Sequence, residues 1–186
     1  MSWLYYFLGI NMDEIANFDP ALVGNITHGV YIIGVKDSRG RLCGSLVDCI
    51  MKATKTPYGV EVSTNKDTYT SNCIESSREF TISVVGEDAK ADLIELFGCT
   101  SCRDTDKWAQ TEHEMLDGLP VLKNCVCSYK VKVFHKLELS THMLWSCMIT
   151  DAKSGNGALP MTMAFLGKNL MGEVKKLNDE RKAKQA

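Results

Sequence analysis

The sequence predicts a mainly β protein: a closed or nearly closed antiparallel barrel of about six or seven strands, with two short interposed helices and a C-terminal helix or tail. Short β-branched and aromatic runs recur along the chain, and most are joined by short turns. No G-x-G-x-x-G follows a strand, which disfavours a doubly wound sheet. With 186 residues, 45% of them hydrophobic, the chain can bury a substantial core.

The first strands come before residue 66. G-V-Y-I-I-G-V-K-D, residues 29–37, is β-branched and aromatic, and the turn S-R-G-R leads from it into L-C-G-S-L-V-D-C-I-M-K-A-T, residues 42–54. This pattern predicts a hairpin. Pro57 then interrupts the chain before G-V-E-V-S-T-N, residues 59–65, which is another short strand.

Two helices are predicted between strands. D-T-Y-T-S-N-C-I-E-S-S-R, residues 67–78, offers Thr or Asp caps for a short helix, and the strand E-F-T-I-S-V-V-G follows it. D-A-K-A-D-L-I-E-L-F-G, residues 88–98, carries apolar residues at roughly helical spacing, and Gly98 stands where a helix would stop.

The C-terminal part adds further strands and a charged end. In C-V-C-S-Y-K-V-K-V-F, Cys125 and Cys127 begin an alternating apolar series, so both are expected to be core thiols. T-H-M-L-W-S-C-M-I-T and A-L-P-M-T-M-A-F, residues 141–150 and 158–165, are predicted strands separated by a G-N-G turn. The final K-K-L-N-D-E-R-K-A-K-Q-A is a solvated helix or tail.

The chain is divided into an N-terminal segment (1–18), a barrel domain (19–166) and a charged C-terminal helix or tail (167–186). The apolar stretch W-L-Y-Y-F-L-G-I, residues 3–10, lacks a basic n-region and is much shorter than the ~20 residues of a membrane span, so we expect it to pack on the body or on a partner.

Charge and cysteine content narrow the classes of partner and compartment. A net charge of −2 and a pI near 6.1 provide no general attraction to nucleic acid or to an anionic membrane, so neither is an expected partner. Eight cysteines without a secretory leader favour a reducing cytoplasm over a disulfide framework.

The stretch F-G-C-T-S-C-R-D-T-D-K-W, residues 97–108, contains a C-x-x-C motif. Redox dithiols of the thioredoxin type lie at a helix N-terminus, whereas Cys99 and Cys102 follow a helix C-terminus. A zinc site would need two more ligands, and the nearest candidates are the expected core thiols. No H-E-x-x-H, G-x-S-x-G or P-loop is present. We therefore predict no metal site and no hydrolytic triad.

Four stretches in register resemble the flavin reductase-like family, which has an FMN-binding Greek-key split barrel. They are L-V-D-C-I-M-K-A-T-K-T-P-Y, V-S-T-N-K-D-T-Y-T-S-N-C-I with a helix capped by Thr70, F-G-C-T-S-C-R-D-T-D-K-W and T-H-M-L-W-S-C-M-I-T-D-A. The third is similar to the family's F-G-x-x-S-G-R-D-x-D-K-F, and the fourth to H-T-x-F-x-G-x-V-x-D-A. The resemblance runs from about Asp19 to Phe165 and is greatest to rubredoxin-associated and flavoredoxin-type flavin domains.

The chain departs from the family pattern at several positions: Asp48 replaces Asn, Cys49 replaces Ser or Thr, Tyr58 replaces the second Pro, Cys102 replaces Gly, and Cys147 and Met148 replace Gly-Glu. A carboxylate at Asp48 would repel a phosphate that it faced. Cys49 lacks the hydroxyl donor.

The resemblance implies a set of FMN contacts. The wall along the flavin is Val47, Asp48, Cys49, Ile50, Lys52, Ala53 and Thr54, and Ser63 and Thr64 close the opposite side. Tyr69 and Thr70 begin the helix beyond it, and Ser101, Arg103 and Lys107 line the flavin region after the second helix. Lys52, Thr70, and Arg103 or Lys107 are the implied phosphate partners. Because flavin N5 carries the chemistry, no catalytic side chain is expected, and His142 is a pocket residue.

The resemblance also implies a function. The expected protein is a homodimeric flavin reductase-like oxidoreductase that passes a hydride or electrons through FMN, from NADH, NADPH or a protein donor, to an acceptor. Two alternatives remain: a flavin electron carrier without NAD(P)H turnover, delivering electrons to a partner such as rubredoxin, and a non-flavin ligand-binding or scaffold protein on the same barrel.

Overall fold

A seven-stranded antiparallel sheet forms the body of the computed structural model, which describes residues 19–185. The predicted N-terminal segment, residues 1–18, lies outside the described residues. The strand order is β2-β1-β5-β8-β9-β4-β3, and β6 and β7 form a separate hairpin. The strands are β1 Tyr31–Lys36, β2 Leu42–Val47, β3 Ile50–Lys55, β4 Tyr58–Asn65, β5 Glu79–Val84, β6 His113–Leu116, β7 Leu119–Leu122, β8 Cys127–Glu138 and β9 His142–Ser154.

The connection between β2 and β3 curls this sheet into a barrel. These strands occupy opposite edges of the sheet, yet only Asp48 and Cys49 separate them along the chain. The two edges must therefore approach each other, although no ladder of hydrogen bonds joins them in the described chain. The predicted split barrel is confirmed, in its open form. The predicted hairpin is confirmed, because β1 and β2 pair in antiparallel register. The chain then changes edges at Asp48, so residues 42–54 form two strands, β2 and β3.

Within residues 19–185, four α-helices accompany the sheet: α1 Tyr69–Ser77, α2 Ala91–Cys99, α3 Met163–Asn169 and α4 Met171–Gln185. Short 3-10 helices cover Pro20–Asn25 and Trp108–Gln110. The first two α-helices are the predicted interposed helices, and α4 is the predicted charged C-terminal helix. None of the helices within residues 19–185 has the length and apolar character needed to cross a membrane.

The predicted strand over residues 158–165 was wrong. Pro160 and Thr162 make isolated bridges to Gly86 and Gly29, and α3 begins immediately afterwards. The reason is a helix cap: the Thr162 hydroxyl accepts a hydrogen bond from the backbone N–H of Phe165, which favours helix initiation over continuation of a strand.

Two groups of buried side chains stabilise the fold. One fills the barrel and includes Ile33, Phe80, Val131 and the fully buried Trp145. The other packs α2, α3 and α4 against the outer side of the sheet. Of the two predicted core thiols, Cys125 is buried in the second group, whereas Cys127 is only partly buried.

Candidate flavin site

A cavity of about 370 Å³ lies beside the split, where β2 leaves one edge of the sheet and β4 lies next to the other edge strand, β3. Its wall comes from β2, β4, the start of α1, the end of α2 and the loop that follows α2. The lining residues are Ser45, Leu46, Val47, Asp48, Ser63, Thr64, Asn65, Thr68, Tyr69, Thr70, Phe97, Gly98, Thr100, Ser101, Cys102, Arg103, Lys107 and His142.

The structure brings most of the predicted contact residues to this one cavity. Those on its wall are Val47, Asp48, Ser63, Thr64, Tyr69, Thr70, Ser101, Arg103, Lys107 and His142. The others do not line it: Cys49, Ile50, Lys52, Ala53 and Thr54. Four of these belong to β3, which is largely exposed. Their predicted contact with a cofactor therefore stays a prediction.

The N-terminus of α1 borders the cavity. The helix begins at Tyr69, and the cap is Thr68, whose side chain accepts a hydrogen bond from the Ser71 N–H at 3.2 Å. Capping by Thr70 was wrong: Thr70 lies inside the first turn and is buried. N–H groups in this turn lack intrahelical acceptors, and the helix dipole makes this end favourable to an anion.

The ring of Tyr69 lies between two guanidinium groups. Arg41 is 5.5 Å and Arg103 is 5.4 Å from the ring centroid, and the Tyr69 hydroxyl donates to the carboxylate of Asp37 at 3.1 Å. Burial opposes ionisation of Asp37, but the N–H groups of Arg41 and Arg39 and the Tyr69 and Arg41 side chains outweigh it and lower the pKa of that carboxyl.

Arg103 is the free cation of this arrangement. Arg41 is paired with Asp37 at 3.2 Å, whereas Arg103 is exposed and has no ion pair among residues 19–185. The Tyr69 ring holds the Arg103 side chain by a cation–π contact beside the cavity. Its hydrogen-bond donors are therefore available to an anion.

Lys107 is a buried cation in the same wall. The side chain is 1% exposed, and its ammonium donates to the backbone oxygen of Phe97 at 3.2 Å. Glu95, a nearby carboxylate, is paired with Arg181 instead. Burial lowers the pKa of Lys107, against the raising effect of Cys102 and other neighbours. Because no carboxylate in residues 19–185 pairs with this buried ammonium, its positive charge is available to a negative group in the cavity.

The edge of the cavity near Asp48 has the opposite electrostatic character. Asp48 lines this part of the wall. Burial of the Cys49 thiol and, to a smaller extent, the negative charge of Asp48 raise the pKa of Cys49 to about 11. The Cys49 thiol lies 3.9 Å from Nδ1 of His28 and is protonated at neutral pH. His142, also on the wall, is half-buried, and its Nδ1 lies 2.8 Å from the Thr141 hydroxyl.

Several lining residues were missed from the sequence. Asn65 and Thr68 precede α1, and the spacing from Thr68 to Ser71 was the available signal for the true cap. Cys102 was set aside with the C-x-x-C motif, yet it lines the cavity. Arg41, which does not line the cavity but contacts the Tyr69 ring, had no local signal, because this contact depends on packing of the β1–β2 turn against α1.

Comparison with known proteins agrees with this fold. Residues 23–172 match the flavin reductase like domain, so the chain belongs to that family. It is 30% identical over 149 residues to high molecular weight rubredoxin of Moorella thermoacetica, covering 79% of this chain and 65% of that protein. It is 28% identical over 141 residues to the ferric-chelate reductase (NAD(P)H) of Archaeoglobus fulgidus, covering 75% and 83%.

A solved structure supports the fold. The FMN-binding protein from Thermus thermophilus superposes with a TM-score of 0.68 at 17% identity, covering 78% of this chain and 82% of that one. The predicted class, a flavin reductase-like oxidoreductase, is confirmed at the level of the family. The chain spans less than two thirds of the rubredoxin relative, 65% of its length. The reaction and the partners of this chain are therefore proposed below.

Proposed function

We propose that this domain binds FMN non-covalently in the cavity and passes a hydride or electrons, from NADH, NADPH or a protein donor, to an acceptor. The observation that carries the proposal is the convergence of three positive features on one wall: the guanidinium of Arg103, the ammonium of Lys107 and the N-terminus of α1. Because the chain as a whole has a net charge of −2, this local concentration of positive charge indicates an anion-binding site.

The donor set fits a phosphate monoester. Arg103 can donate two parallel hydrogen bonds to phosphate oxygens, and the first turn of α1 adds backbone N–H groups. Lys107 supplies positive charge from inside the wall, where low solvent exposure strengthens its attraction for an anion. We assign the phosphate to this side because Asp48, elsewhere on the wall, would repel it.

The volume and the apolar part of the wall suit the ring system. About 370 Å³ falls within the range of small-molecule pockets, which is about 300–1,000 Å³. Leu46, Val47 and Phe97 provide the apolar surface for a flat aromatic ring. When bound, the flavin supplies the hydride or electron transfer. The residues of this chain bind and orient it, and His142 shapes the pocket for the nicotinamide or acceptor.

Reconstitution with flavin tests the proposal. Purified protein mixed with FMN is expected to retain a visible flavin band after gel filtration and to melt at a higher temperature, because a ligand that binds only the native state stabilises it. Parallel samples with FAD and riboflavin identify the flavin that binds. A colourless protein whose melting temperature no flavin changes would overturn the proposal.

Electron transfer without nicotinamide turnover is the second candidate, and similarity to a protein named high molecular weight rubredoxin favours it. Anaerobic mixing of the FMN-loaded protein with NADH or NADPH separates the two candidates. Bleaching within seconds supports a reductase. A flavin that stays oxidised with both nicotinamides but is reduced by reduced rubredoxin supports the carrier.

We also propose a homodimer, formed through an apolar surface on the outer face of the sheet. Phe134 and Leu137 on β8 are 60% and 52% exposed, and Met51 on β3 is 61% exposed. β8 and β3 are not adjacent, but exposed apolar side chains on strands of one sheet favour coverage by a second copy. Light scattering is expected to give the mass of two chains, and Leu137→Lys the mass of one. Leu22→Lys, at an equally exposed position away from this sheet, is the control. A wild-type monomer would contradict the proposal.

The proposed location is the cytoplasm. All eight cysteines are free thiols, and several of them, including Cys43 and Cys73, are buried in the core. A reducing compartment favours this state. Fractionation of the native host with an antibody against the protein is the direct test, and recovery outside the cytoplasm would contradict it.

A further inference from the structure

Three buried thiols meet behind the wall of the cavity. Cys43 on β2 is fully buried, and Cys73 on α1 and Cys102 in the loop after α2 are each 4% exposed. All three belong to the core group inside the barrel. Only Cys102 also lines the cavity. Within residues 19–185, no group of three or more His, Cys, Asp or Glu side chains is arranged to hold a metal ion.

Cys102 is held against the edge of β2 beside Cys43. Its sulfur lies 3.1 Å from the backbone nitrogen and 3.0 Å from the backbone oxygen of Gly44, the residue that follows Cys43. A hydrogen bond from the Cys43 thiol lowers the pKa of Cys102 to about 6, against the effect of burial, and the Gly44 N–H and the charge of Lys107 lower it further.

The other cysteine of the C-x-x-C motif is in different surroundings. Cys99 is exposed at the end of α2, and its backbone oxygen accepts a hydrogen bond from Arg181. The charged groups that act on its thiol are Glu95, Arg181, Lys182 and Lys107 rather than Cys102. The contact partner of Cys102 is therefore Cys43, which is far away in sequence.

We propose that Cys43 and Cys102 are a redox-active dithiol in the wall of the cofactor cavity, with bound oxidised flavin as the two-electron acceptor. Two S–H bonds break and one S–S bond forms; both protons and both electrons pass to the flavin, and the reverse reaction restores the thiols. The link to flavin rests on the proposed function. The disulfide joins β2 to the loop that carries Ser101 and Arg103, so oxidation would fix the phosphate side of the site.

The dithiol is tested first without flavin. The folded apo-protein is treated with diamide, which takes two hydrogen atoms from a pair of thiols, and its disulfides are mapped by mass spectrometry. A Cys43–Cys102 disulfide is expected in the wild type and in Cys99→Ser, and is expected to be absent from Cys102→Ser. A Cys99–Cys102 or Cys43–Cys73 disulfide in its place, or free Cys43 and Cys102, would overturn the dithiol.

The link to flavin is tested by anaerobic dithionite titration of diamide-treated, FMN-loaded protein after removal of the oxidant. The wild type and Cys99→Ser are expected to take up twice the electrons per flavin that Cys102→Ser takes up, and thiol mapping is expected to show the pair reduced. Equal uptake in all three would overturn the link. Failure to bind FMN would overturn the proposed function, while the apo-protein mapping would still decide on the dithiol.

Discussion

The indole N–H of Trp145 donates a 2.8 Å hydrogen bond to the hydroxyl of Thr64, deep inside the barrel. The same hydroxyl lies 3.1 Å from that of Ser71 in the first turn of α1. Trp145 is fully buried and Thr64 is 3% exposed. This network joins β9, β4 and α1, so it fixes the helix N-terminus relative to the cavity. Thr64 thus has a structural role that its predicted flavin contact did not include.

Replacement of Thr64 by Val keeps the shape of the side chain and removes the acceptor for Trp145. We expect a loss of about 1–3 kcal/mol in the free energy of unfolding, because a buried indole N–H and the Ser71 hydroxyl lose their partner. Urea unfolding provides the measurement. Thr150→Val, at an exposed position on β9, is the matched control and is expected to change stability by less than about 0.5 kcal/mol. Equal effects of the two changes would contradict the assigned role.

The Thr68 cap controls the helix end that faces the cavity. Thr68→Ala is expected to lower stability by about 1 kcal/mol, whereas Thr68→Ser, which keeps the acceptor, is expected to lower it much less. Isothermal titration of both variants with FMN reports on the site, and only the Ala variant should bind more weakly. If Thr68→Ala lost stability and bound FMN as the wild type does, the helix terminus would not contribute to phosphate binding.

Lys107→Met separates binding from folding. A buried cation without a carboxylate partner costs desolvation energy, so the apo-protein is expected to be at least as stable with Met, while FMN affinity falls. Because burial lowers the pKa of Lys107, the unfolded state binds more protons between the folded pKa and the ordinary value of about 10.4.

The stability of the wild-type apo-protein should therefore rise with pH through that window, and the rise should be smaller in Lys107→Met. Guanidinium unfolding at several alkaline pH values measures the free energy of unfolding of both proteins. Identical pH profiles for the two proteins would show that Lys107 is not desolvated in solution.

The Cys102 thiolate provides a pH-dependent signal. The hydrogen bond from Cys43 lowers the pKa of Cys102 to about 6, so the thiolate should be present above this pH. The difference in ultraviolet thiolate absorbance between wild type and Cys102→Ser should show a midpoint near 6. In a Cys43→Ala background, the same difference should appear at higher pH. An unmoved midpoint would show that Cys43 is not the hydrogen-bond partner.

Local patterns in the sequence were sufficient to predict the strands of the barrel and the two interposed helices. Alternation in the β8 segment and helical spacing in the α2 segment depend on neighbours along the chain, and both elements formed as predicted. The division of residues 42–54 into β2 and β3 was not predicted, because the edge change at Asp48 depends on barrel closure rather than on β propensity. The strand over 158–165 was wrong because a cap at Thr162 outweighed the apolar pattern.

Ser63, Arg103 and Lys107, which the family motifs single out, line the cavity, so their convergence could be anticipated from the sequence, while their contact with a flavin stays a prediction. The contact between Cys43 and Cys102 was not, because it joins an edge strand to a distant loop and no spacing rule relates them. The C-x-x-C spacing instead drew attention to Cys99, which is exposed, whereas Cys102 is buried. Contacts between residues that are distant in sequence are set by tertiary packing, and local sequence patterns do not predict that packing.

Comparison of FMN with riboflavin by isothermal titration tests the central claim most directly, because the two ligands differ only in the phosphate. The wild type is expected to bind FMN more tightly than riboflavin. Arg103→Gln is expected to lose about 1.5–3 kcal/mol of FMN binding, roughly ten- to hundredfold, with riboflavin binding unchanged. Arg39→Gln, at an exposed position, is the control. Equal affinity of the wild type for FMN and riboflavin, or no binding of either, would contradict a phosphate site formed by Arg103, Lys107 and α1.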